Sequence, residues 1–325
     1  MRTRQAYIDA PGGPEAIRWR EVDLPAPGPG QVLLRHEAIG LNFIDTYHRS
    51  GLYPLAMPAT LGLEAAGIVE AIGQGVDGLT VGDRVATFGP SRGAYADAQI
   101  VSAAELFAVP EDIELRTAAA VLLKGLTTEM LAERVAPLAE GEWALVHAAA
   151  GGVGQLLVQW LVARGVRVIA TAGSDGKCAL ARSLGAEHAI DAGATDLAEQ
   201  VRALTGGRGV RASYDGVGKA TWEASLKATG RRGIIASFGN ASGPVTGVNL
   251  GTLASAGSLF VSRPTLFDYY REPAERAEGA AKLWDMLGSG KLKVEIGQTY
   301  SLDQAEQAHR DLEARKTVGS TLLLP

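Results

Sequence analysis

The residues with the clearest chemical meaning in this chain form a glycine-rich turn at 147–154, His-Ala-Ala-Ala-Gly-Gly-Val-Gly. A short apolar run precedes the turn, and a long amphipathic run follows it. Against the pattern G-x-G-x-x-G, Ala149 takes the first position, and Gly151 and Gly154 take the second and third. A second position without a side chain lets backbone N–H groups reach a pyrophosphate, and the third lets the helix lie close to the strand. The turn therefore predicts a dinucleotide site at the N-terminus of a helix that begins near Gly152.

The segment after the next predicted strand, 170–177, indicates which dinucleotide binds. Proteins that bind NAD usually carry an acidic residue there, about 20 residues after the glycine turn, which holds the ribose 2′-hydroxyl. Here Thr171 ends the strand without a carboxylate, whereas Ser174 and Lys177 offer a hydroxyl group and a cation. This pair suits the negative charge of a 2′-phosphate, and we interpret Asp175 as the N-cap of the next helix. The pattern favours NADPH over NADH, and a solvated helix residue is the alternative role of Lys177.

The elements that must position this turn predict an α/β protein with two domains. The N-terminal part is rich in strands and turns, with short apolar runs at 31–38, 67–73 and 84–88 between Gly and Pro residues. A helical pattern at 115–135 follows, and strands then alternate with helices, which is typical of a parallel sheet covered on both faces. The predicted strands are 143–147, 166–171, 188–191, 212–215, 233–238 and 258–262, and the predicted helices are 155–164, 177–184, 197–204 and 222–229.

The C-terminal tail, from Arg263 on, contains two helical stretches at 274–287 and 303–314 and a strand-like run at 320–324. It is too short to be a domain of its own. We therefore expect it to return to the N-terminal part, so that the nucleotide-binding module is an insertion.

The overall composition limits the classes of partner. The net charge is −5, and no run of five like charges occurs, so nucleic-acid binding through a basic face has little support. No stretch reaches the roughly 18 uninterrupted apolar residues of a membrane helix, and no signal-peptide pattern opens the chain. Cys178 is the single cysteine, which excludes an internal disulfide and a cysteine-based metal site. These features predict a cytoplasmic enzyme or binding protein that interacts with neither nucleic acid nor membrane.

Seven segments of the chain match a known family. Each is a moderate signal alone, but their order along the chain makes the match specific. They are Gly40-Leu-Asn-Phe-Ile-Asp-Thr-Tyr47, Arg49-Ser-Gly-Leu-Tyr53, Lys124-Gly-Leu-Thr127, Ala148-Ala-Ala-Gly-Gly-Val-Gly154, Ser237-Phe-Gly-Asn240, Arg263-Pro-Thr265 and Gly319-Ser-Thr-Leu-Leu-Leu-Pro325. On these segments the chain resembles the zinc-independent quinone oxidoreductases, the zeta-crystallin-like branch of the medium-chain dehydrogenase/reductase superfamily. The resemblance implies a GroES-like, β-rich catalytic domain, 1–124 completed by 263–325, and a Rossmann domain with a doubly wound parallel sheet, 125–262. It also implies a cofactor in the cleft between the domains and a homodimer paired through edge strands, here at 258–262.

The positions that bind catalytic zinc in zinc-dependent relatives carry other residues in this chain. The resemblance matches two cysteines and a histidine of those relatives to Asn42, Lys124 and Leu63. An amide, an ammonium group and an alkyl group do not form a zinc site. Without a Lewis acid, alcohol–ketone chemistry becomes difficult, whereas a quinone ring accepts a hydride readily. We therefore expect a metal-free site.

The resemblance also implies a set of site residues. Asn42, Tyr47 and Tyr53 would line the substrate cleft, Lys124 would lie beside the cofactor or at the floor of the site, and these four are the predicted catalytic residues. The predicted cofactor-binding residues are Phe43, Ile44, Asp45, Thr46, Tyr47, Lys124, Thr127, Gly151, Gly152, Val153, Gly154, Gly173, Ser174, Lys177, Phe238, Gly239, Asn240, Ala241, Arg263, Pro264, Thr265, Leu266 and Arg315.

Some of these residues have a purely structural alternative. Tyr47 and Tyr53 could pack at a domain edge, and Asp45 could cap a helix. Ala192 departs from the family pattern, because close relatives often have a tyrosine beside the adenosine at that place.

The function that we predict is NADPH-dependent reduction of quinones by hydride transfer in the cleft, with a proton supplied through Tyr53 or from solvent. A second hypothesis keeps the cofactor and reduces the C=C bond of an enone or alkenal in the same cleft. A third is a non-catalytic NADPH-binding protein, such as a sensor or an RNA binder.

Overall fold

The structure, a computed structural model, describes residues 1–325. The chain forms two compact units. Unit 1 consists of Met1–Leu123, Arg276–Trp284 and Val294–Pro325, and unit 2 consists of Lys124–Glu275 and Asp285–Lys293. Residues 263–275 and 285–293, which we expected in the first domain, thus belong to unit 2.

The chain forms strands and helices in the following order. The strands are β1 Arg2–Ile8, β2 Arg18–Asp23, β3 Gln31–Leu41, β4 Ala59–Thr60, β5 Glu64–Ile72, β6 Arg84–Phe88, β7 Ala98–Ser102, β8 Leu106–Ala108, β9 Trp143–Val146, β10 Arg167–Ala172, β11 His188–Asp191, β12 Val210–Asp215, β13 Thr229–Ser237, β14 Phe260–Ser262, β15 Ile296–Ser301 and β16 Ser320–Leu324. The helices are α1 Phe43–Ser50, α2 Leu115–Glu129, α3 Gly152–Ala163, α4 Asp175–Ser183, α5 Leu197–Leu204, α6 Trp222–Ala228, α7 Leu250–Ser255, α8 Leu266–Tyr269, α9 Pro273–Gly288 and α10 Ala305–Glu313. A π-helical turn, Met130–Val135, continues α2, and short 3-10 turns occur at Pro14–Ala16, Ala103–Glu105 and Leu302–Gln304.

Unit 1 is built on a seven-stranded sheet. Its strand order is β15-β16-β3-β5-β6-β8, with β7 also paired to β3, and a second sheet has the order β2-β1-β4. Alternate residues of β3, such as Val32 and Leu34, are fully buried and pack with Val69, Val85 and Val101, as expected of a strand with one face on a core. The last strand, β16, pairs antiparallel with β3. The C-terminal tail therefore completes the sheet that begins with residue 31.

Unit 2 is built on a six-stranded parallel sheet with the order β11-β10-β9-β12-β13-β14. Leu145 of β9 and Ile169 of β10 share a buried cluster with Leu197 and Val201 of α5. The strand order reverses between β9 and β12, and in such sheets a ligand binds at the carboxyl ends of the strands beside that point. The predicted fold class, a β-rich GroES-like part with a doubly wound parallel sheet, is confirmed.

Several predicted elements have the observed bounds, among them β6, β11, α5 and β16. The helix α3 begins at Gly152, as the glycine turn predicted. The helix α4 begins at Asp175, two residues before the predicted start, and α10 begins at Ala305, two residues after it. The sequence pattern did not predict α1. No helix of the fold combines the length and apolar character that a membrane span needs.

Candidate active site

The glycine turn joins β9 to α3 in unit 2. Gly151 is the N-cap of α3, and Gly152 is its first residue. Ala148 has a φ of 51°, a left-handed conformation that costs an alanine about 1–2 kcal/mol. A Cβ atom on Gly154 would lie 2.3 Å from the carbonyl oxygen of Ala148, so a residue with a side chain would force the helix away from the strand. The turn brings the free N–H groups of α3 to the carboxyl end of β9, and this geometry fits a pyrophosphate.

His147 directly follows β9 and links it to β10 and to helix α6. Its Nδ1 lies 3.1 Å from Thr171 Oγ1, and its Nε2 lies 3.0 Å from Ser225 Oγ. Ser225 donates its proton to Asp215 Oδ2 at 2.8 Å, so His147 donates from Nε2 and accepts at Nδ1. Burial lowers the pKa of His147, which keeps the ring neutral. The predicted strand 143–147 placed this histidine at a strand end, but the sequence did not predict its partners, because they come from other elements.

The loop from β10 to α4 contains Gly173, Ser174 and Lys177. Ser174 is the N-cap of α4, and its Oγ accepts a hydrogen bond from the Lys177 N–H at 3.4 Å. The expectation that Asp175 caps this helix is wrong, because Asp175 is the first helical residue, where its charge interacts favourably with the helix dipole. A Cβ atom on Gly173 would meet no atom within 4 Å. The loop is thus open to solvent and leaves room for a ribose phosphate beside Ser174 and Lys177.

The loop after β13 contains Phe238–Ala241 and is fastened by an arginine. Arg263, just after β14, donates from Nη1 to the carbonyl oxygen of Ser237 at 2.7 Å. With the carboxamide of Asn240 oriented so that its oxygen faces the guanidinium, Asn240 accepts from Arg263 Nη2 at 2.9 Å. Thr265 follows as the N-cap of α8, and its hydroxyl donates to Asp268 at 2.9 Å. Arg263 therefore ties the segment 263–266 to the segment 238–241 at the carboxyl end of the sheet.

Lys124 and Thr127 lie one turn apart in α2, with exposures of 6% and 9%. A hydrogen-bonded cluster follows them at the end of the helix. Tyr270 donates to the Leu126 carbonyl at 3.0 Å and also contacts the fully buried Glu129, which accepts from Arg134 Nε at 2.8 Å. Burial and Glu129 raise the pKa of Tyr270 above its usual range. The π-helical turn Met130–Val135 directly follows Glu129, and such turns, although rare, are often found at functional sites.

In unit 1, Asn42 is the N-cap of α1 and forms a capping box with Asp45. The Asn42 N–H donates to Asp45 Oδ2 at 2.9 Å. The Asn42 side-chain Nδ2 donates to Glu64 Oε2 at 2.8 Å. Asp45 and Glu64 both have no exposed surface. The structural alternative for Asp45, a helix cap, is thus confirmed by its geometry, while a direct cofactor contact stays a prediction.

An aromatic cluster lies on α1 and the turn that follows it. The rings of Tyr47 and Tyr53 are 5.2 Å apart and meet edge to face, and Phe43 lies 6.2 Å from Tyr47. His48 lies 6.1 Å from Tyr53, and burial together with the charge of Arg92 lowers the pKa of His48 to about 4. The structure thus brings Phe43, Tyr47 and Tyr53 together, and Tyr47 is the most enclosed tyrosine of the cluster, with 8% exposure.

The remaining predicted residues lie elsewhere. Arg315 is exposed after α10 in unit 1 and has a φ of 59°. Of the three positions that match zinc ligands in relatives, Asn42 and the buried Leu63 belong to unit 1 and Lys124 to unit 2. No group of three or more His, Cys, Asp or Glu side chains is arranged to hold a metal ion.

Within unit 2, the predicted cofactor residues at 151–154, 173–177 and 238–241 all follow carboxyl ends of parallel strands. They therefore lie at one edge of the sheet. Within unit 1, the predicted residues 42–47 form the start of α1, with Tyr53 beside them. The sequence missed Glu64, which stands next to the noted Leu63, and Asp215, which ends a predicted strand.

Comparisons with known proteins agree with this geometry. The family model for the alcohol dehydrogenase GroES-like domain matches residues 28–111, and that for zinc-binding dehydrogenase matches 152–278. A quinone oxidoreductase from Pseudomonas aeruginosa is 48% identical over 99% of both chains, and a 2-haloacrylate reductase from a Burkholderia species is 41% identical over 98% of both. A solved structure of Escherichia coli quinone oxidoreductase complexed with NADPH superposes with a TM-score of 0.97 at 42% identity and covers 99% of this chain and 100% of that one. The chain belongs to the quinone oxidoreductases, the zinc-independent branch of the medium-chain dehydrogenase/reductase superfamily that its motifs resemble.

Proposed function

We propose that this protein reduces quinones with NADPH at a site that uses no metal ion. The observation that carries the proposal is the turn at 151–154, whose glycines leave the N-terminus of α3 open beside the loop from β10 to α4. That loop offers Ser174 and Lys177 and no strand-end carboxylate. The full-length identity to quinone oxidoreductases supports the same reaction.

The residues of unit 2 hold the cofactor in this proposal. The N–H groups of Gly152 and Val153 bind the pyrophosphate, and Ser174 with Lys177 binds the 2′-phosphate. The loops at 238–241 and 263–266, which Arg263 ties together, hold the nicotinamide end with Lys124 and Thr127. Arg315, the one proposed cofactor contact named in this paragraph that belongs to unit 1, pairs with a phosphate. NADPH, when bound, supplies the hydride.

The residues of unit 1 orient the acceptor. Tyr47 and Tyr53 form an edge-to-face pair, which suits a flat, electron-poor ring better than an aliphatic ketone. Asn42 adds a polar group at the start of α1, with Phe43, Ile44 and Thr46 on the nicotinamide side. We propose that Asp45 acts through Asn42, because its side chain has no exposed surface.

We propose a division of labour between the two units, in which unit 1 orients the acceptor and unit 2, which includes residues 263–275 and 285–293, holds the nucleotide. We also propose a cytoplasmic homodimer that binds neither nucleic acid nor membrane. Edge strand β14 supports the dimer, because its Phe260 and Val261 are 60% and 40% exposed. An exposed apolar edge strand presents unpaired backbone groups to which a strand of a second chain can bind.

The test is NADPH oxidation by the purified protein against a panel of 1,4-benzoquinone, an alkenal and a 2-haloacrylate. We expect the quinone to give the highest kcat/KM and a metal chelator to change nothing. The relationship to a 2-haloacrylate reductase favours C=C reduction as the second candidate, and a higher kcat/KM on the alkenal or haloacrylate would replace quinone reduction with it. Tight NADPH binding without oxidation on any acceptor would show a non-catalytic binding protein, and activity lost on chelation would contradict the metal-free site.

A further inference from the structure

A fully buried carboxylate, Glu64, lies at the first residue of β5 in unit 1. Its ladder partner on β3 is Gly40. A Cβ atom on Gly40 would lie 2.1 Å from Glu64 Oε2 and 2.4 Å from the Ala119 carbonyl oxygen. The missing side chain of Gly40 therefore makes the space that the carboxylate occupies. A buried charge is costly unless its oxygens find donors, so the partners of Glu64 matter.

Both oxygens of Glu64 accept from N–H donors. The backbone N–H of Leu123 donates to Oε1 at 2.6 Å, and Asn42 Nδ2 donates to Oε2 at 2.8 Å. Because a carboxylate only accepts, the amide nitrogen of Asn42 must face Glu64. The amide oxygen of Asn42 then faces the first turn of α1, where the capping box lies. Glu64 thus selects one of the two orientations of this carboxamide.

A second buried carboxylate holds the backbone of the same residue. Asp45 Oδ2 accepts from the Asn42 N–H at 2.9 Å and from the Tyr95 hydroxyl at 3.2 Å. Asn42 is therefore fixed at both its side chain and its main chain, and only 6% of it remains exposed. The capping box needs only Asp45. The second buried carboxylate that binds Asn42, Glu64, therefore does more than cap the helix.

We propose that Glu64 is a positioning residue for the reduction: it locks the Asn42 carboxamide in one orientation and thereby fixes the first turn of α1, from Phe43 to Tyr47, against the substrate. This rests on the proposed function, in which Asn42 and Tyr47 face the quinone. Glu64 has no exposed surface, so it acts through Asn42 and touches neither substrate nor cofactor.

The first test is the substitution Glu64→Gln, which keeps the size but turns one acceptor into a donor. The amide nitrogen of the new glutamine would point at one of two donors, Asn42 Nδ2 or the Leu123 N–H. The Asn42 carboxamide must then rotate by 180° or lose its hydrogen bond. We expect kcat/KM for 1,4-benzoquinone to fall about tenfold, with the Kd of NADPH, measured by tryptophan fluorescence, unchanged within about twofold. Asn42→Ala should cause a similar loss, and the double variant should be no worse than Asn42→Ala alone.

A second variant pair keeps the proposal testable if Glu64→Gln does not fold alone. Asn42→Asp places two carboxylates in contact and should lower kcat/KM, whereas adding Glu64→Gln should restore much of it, because the new amide can donate to the new carboxylate. The matched control is Glu105→Gln, the same change on a carboxylate of unit 1 that accepts from the Ser91 hydroxyl at 2.7 Å. We expect that control to keep the full kcat/KM.

Three results would overturn the positioning role: multiplying losses in the double variant Glu64→Gln/Asn42→Ala, no rescue of Asn42→Asp, or a loss of NADPH binding as large as the loss of turnover. Failure of the wild-type protein to oxidise NADPH with any quinone would count against the proposed function instead. In that case hydrogen exchange of the peptide 42–47 still decides the structural claim. Faster exchange in Glu64→Gln at an unchanged Tm supports the hold of Glu64 on α1, and unchanged exchange contradicts it.

Discussion

Arg49 donates from Nη1 to Nδ1 of His309 at 2.9 Å inside unit 1. Since arginine has no acceptor, Nδ1 must accept, and the neutral ring carries its proton on Nε2. That proton faces the Tyr95 hydroxyl at 2.9 Å, and Tyr95 in turn donates to Asp45. A directed chain of hydrogen bonds thus runs from a buried arginine on α1 through α10 to the carboxylate that caps the start of α1.

The neutral state of His309 makes stability depend on pH. Burial and the charge of Arg49 lower its pKa to about 3, from about 6.5 in an unfolded chain. Between these values the unfolded state binds a proton that the folded state does not, so the free energy of unfolding decreases as pH falls from about 6.5 towards 3. We expect His309→Gln to reduce that slope by up to about 1.4 kcal/mol per pH unit, measured by urea unfolding at pH 4–7. His188→Gln, at a side chain with 37% exposure, should leave the slope unchanged, and equal slopes in all three proteins would contradict the buried neutral ring.

The two glycines Gly154 and Gly173 of the proposed cofactor site should respond differently to substitution by alanine. Gly154→Ala places a Cβ atom 2.3 Å from the Ala148 carbonyl, so we expect a lower Tm together with a Kd for NADPH raised about tenfold or more. Gly173→Ala meets no protein atom within 4 Å, so Tm should hold while NADPH binding weakens. Calorimetry and fluorescence titration measure both quantities. Unchanged NADPH binding in Gly173→Ala would show that the cofactor does not approach this loop.

The charge of Lys177 should decide the preference between the two nicotinamide cofactors. We expect Lys177→Glu to raise the KM for NADPH about tenfold or more and to leave the KM for NADH almost unchanged, because only NADPH carries the 2′-phosphate. Steady-state kinetics with both cofactors provide the measurement. Lys227→Glu makes the same charge change at an exposed position of α6 and should affect neither KM. Equal effects of Lys177→Glu on the KM values of both cofactors would contradict the proposal that Lys177 binds the 2′-phosphate.

The apolar edge of unit 2 should control the state of assembly. Phe260→Asp removes apolar surface from β14 and adds a charge, so we expect the proposed homodimer to dissociate into monomers. Sedimentation velocity over a range of protein concentrations measures this. Val81→Asp, at a residue that is 65% exposed in unit 1, should not change the mass of the particle. A dimer that survives Phe260→Asp would place the interface elsewhere.

Local patterns allowed much of the fold to be predicted. The glycine spacing at 151–154 and the alternation of strands with helices depend on neighbouring residues only, and α5 and β11 occur at their predicted bounds. The start of α4 was predicted less well, because Ser174 and Asp175 are both good caps and only the backbone geometry distinguishes them. The helix α1 escaped prediction, although its apolar and polar residues follow a helical period.

By itself, then, the sequence determined the chemistry available at each position: no carboxylate at Thr171, no zinc ligands at Asn42 and Leu63, and a turn without side chains at 151 and 154. Only the tertiary structure decided which polar groups share a partner. Asn42 meets Glu64 across 22 residues, and Tyr95 meets His309 across 214. Such pairs depend on how distant strands and helices pack, and no local pattern carries that information, because the burial that forces each polar group to find its partner exists only in the folded chain.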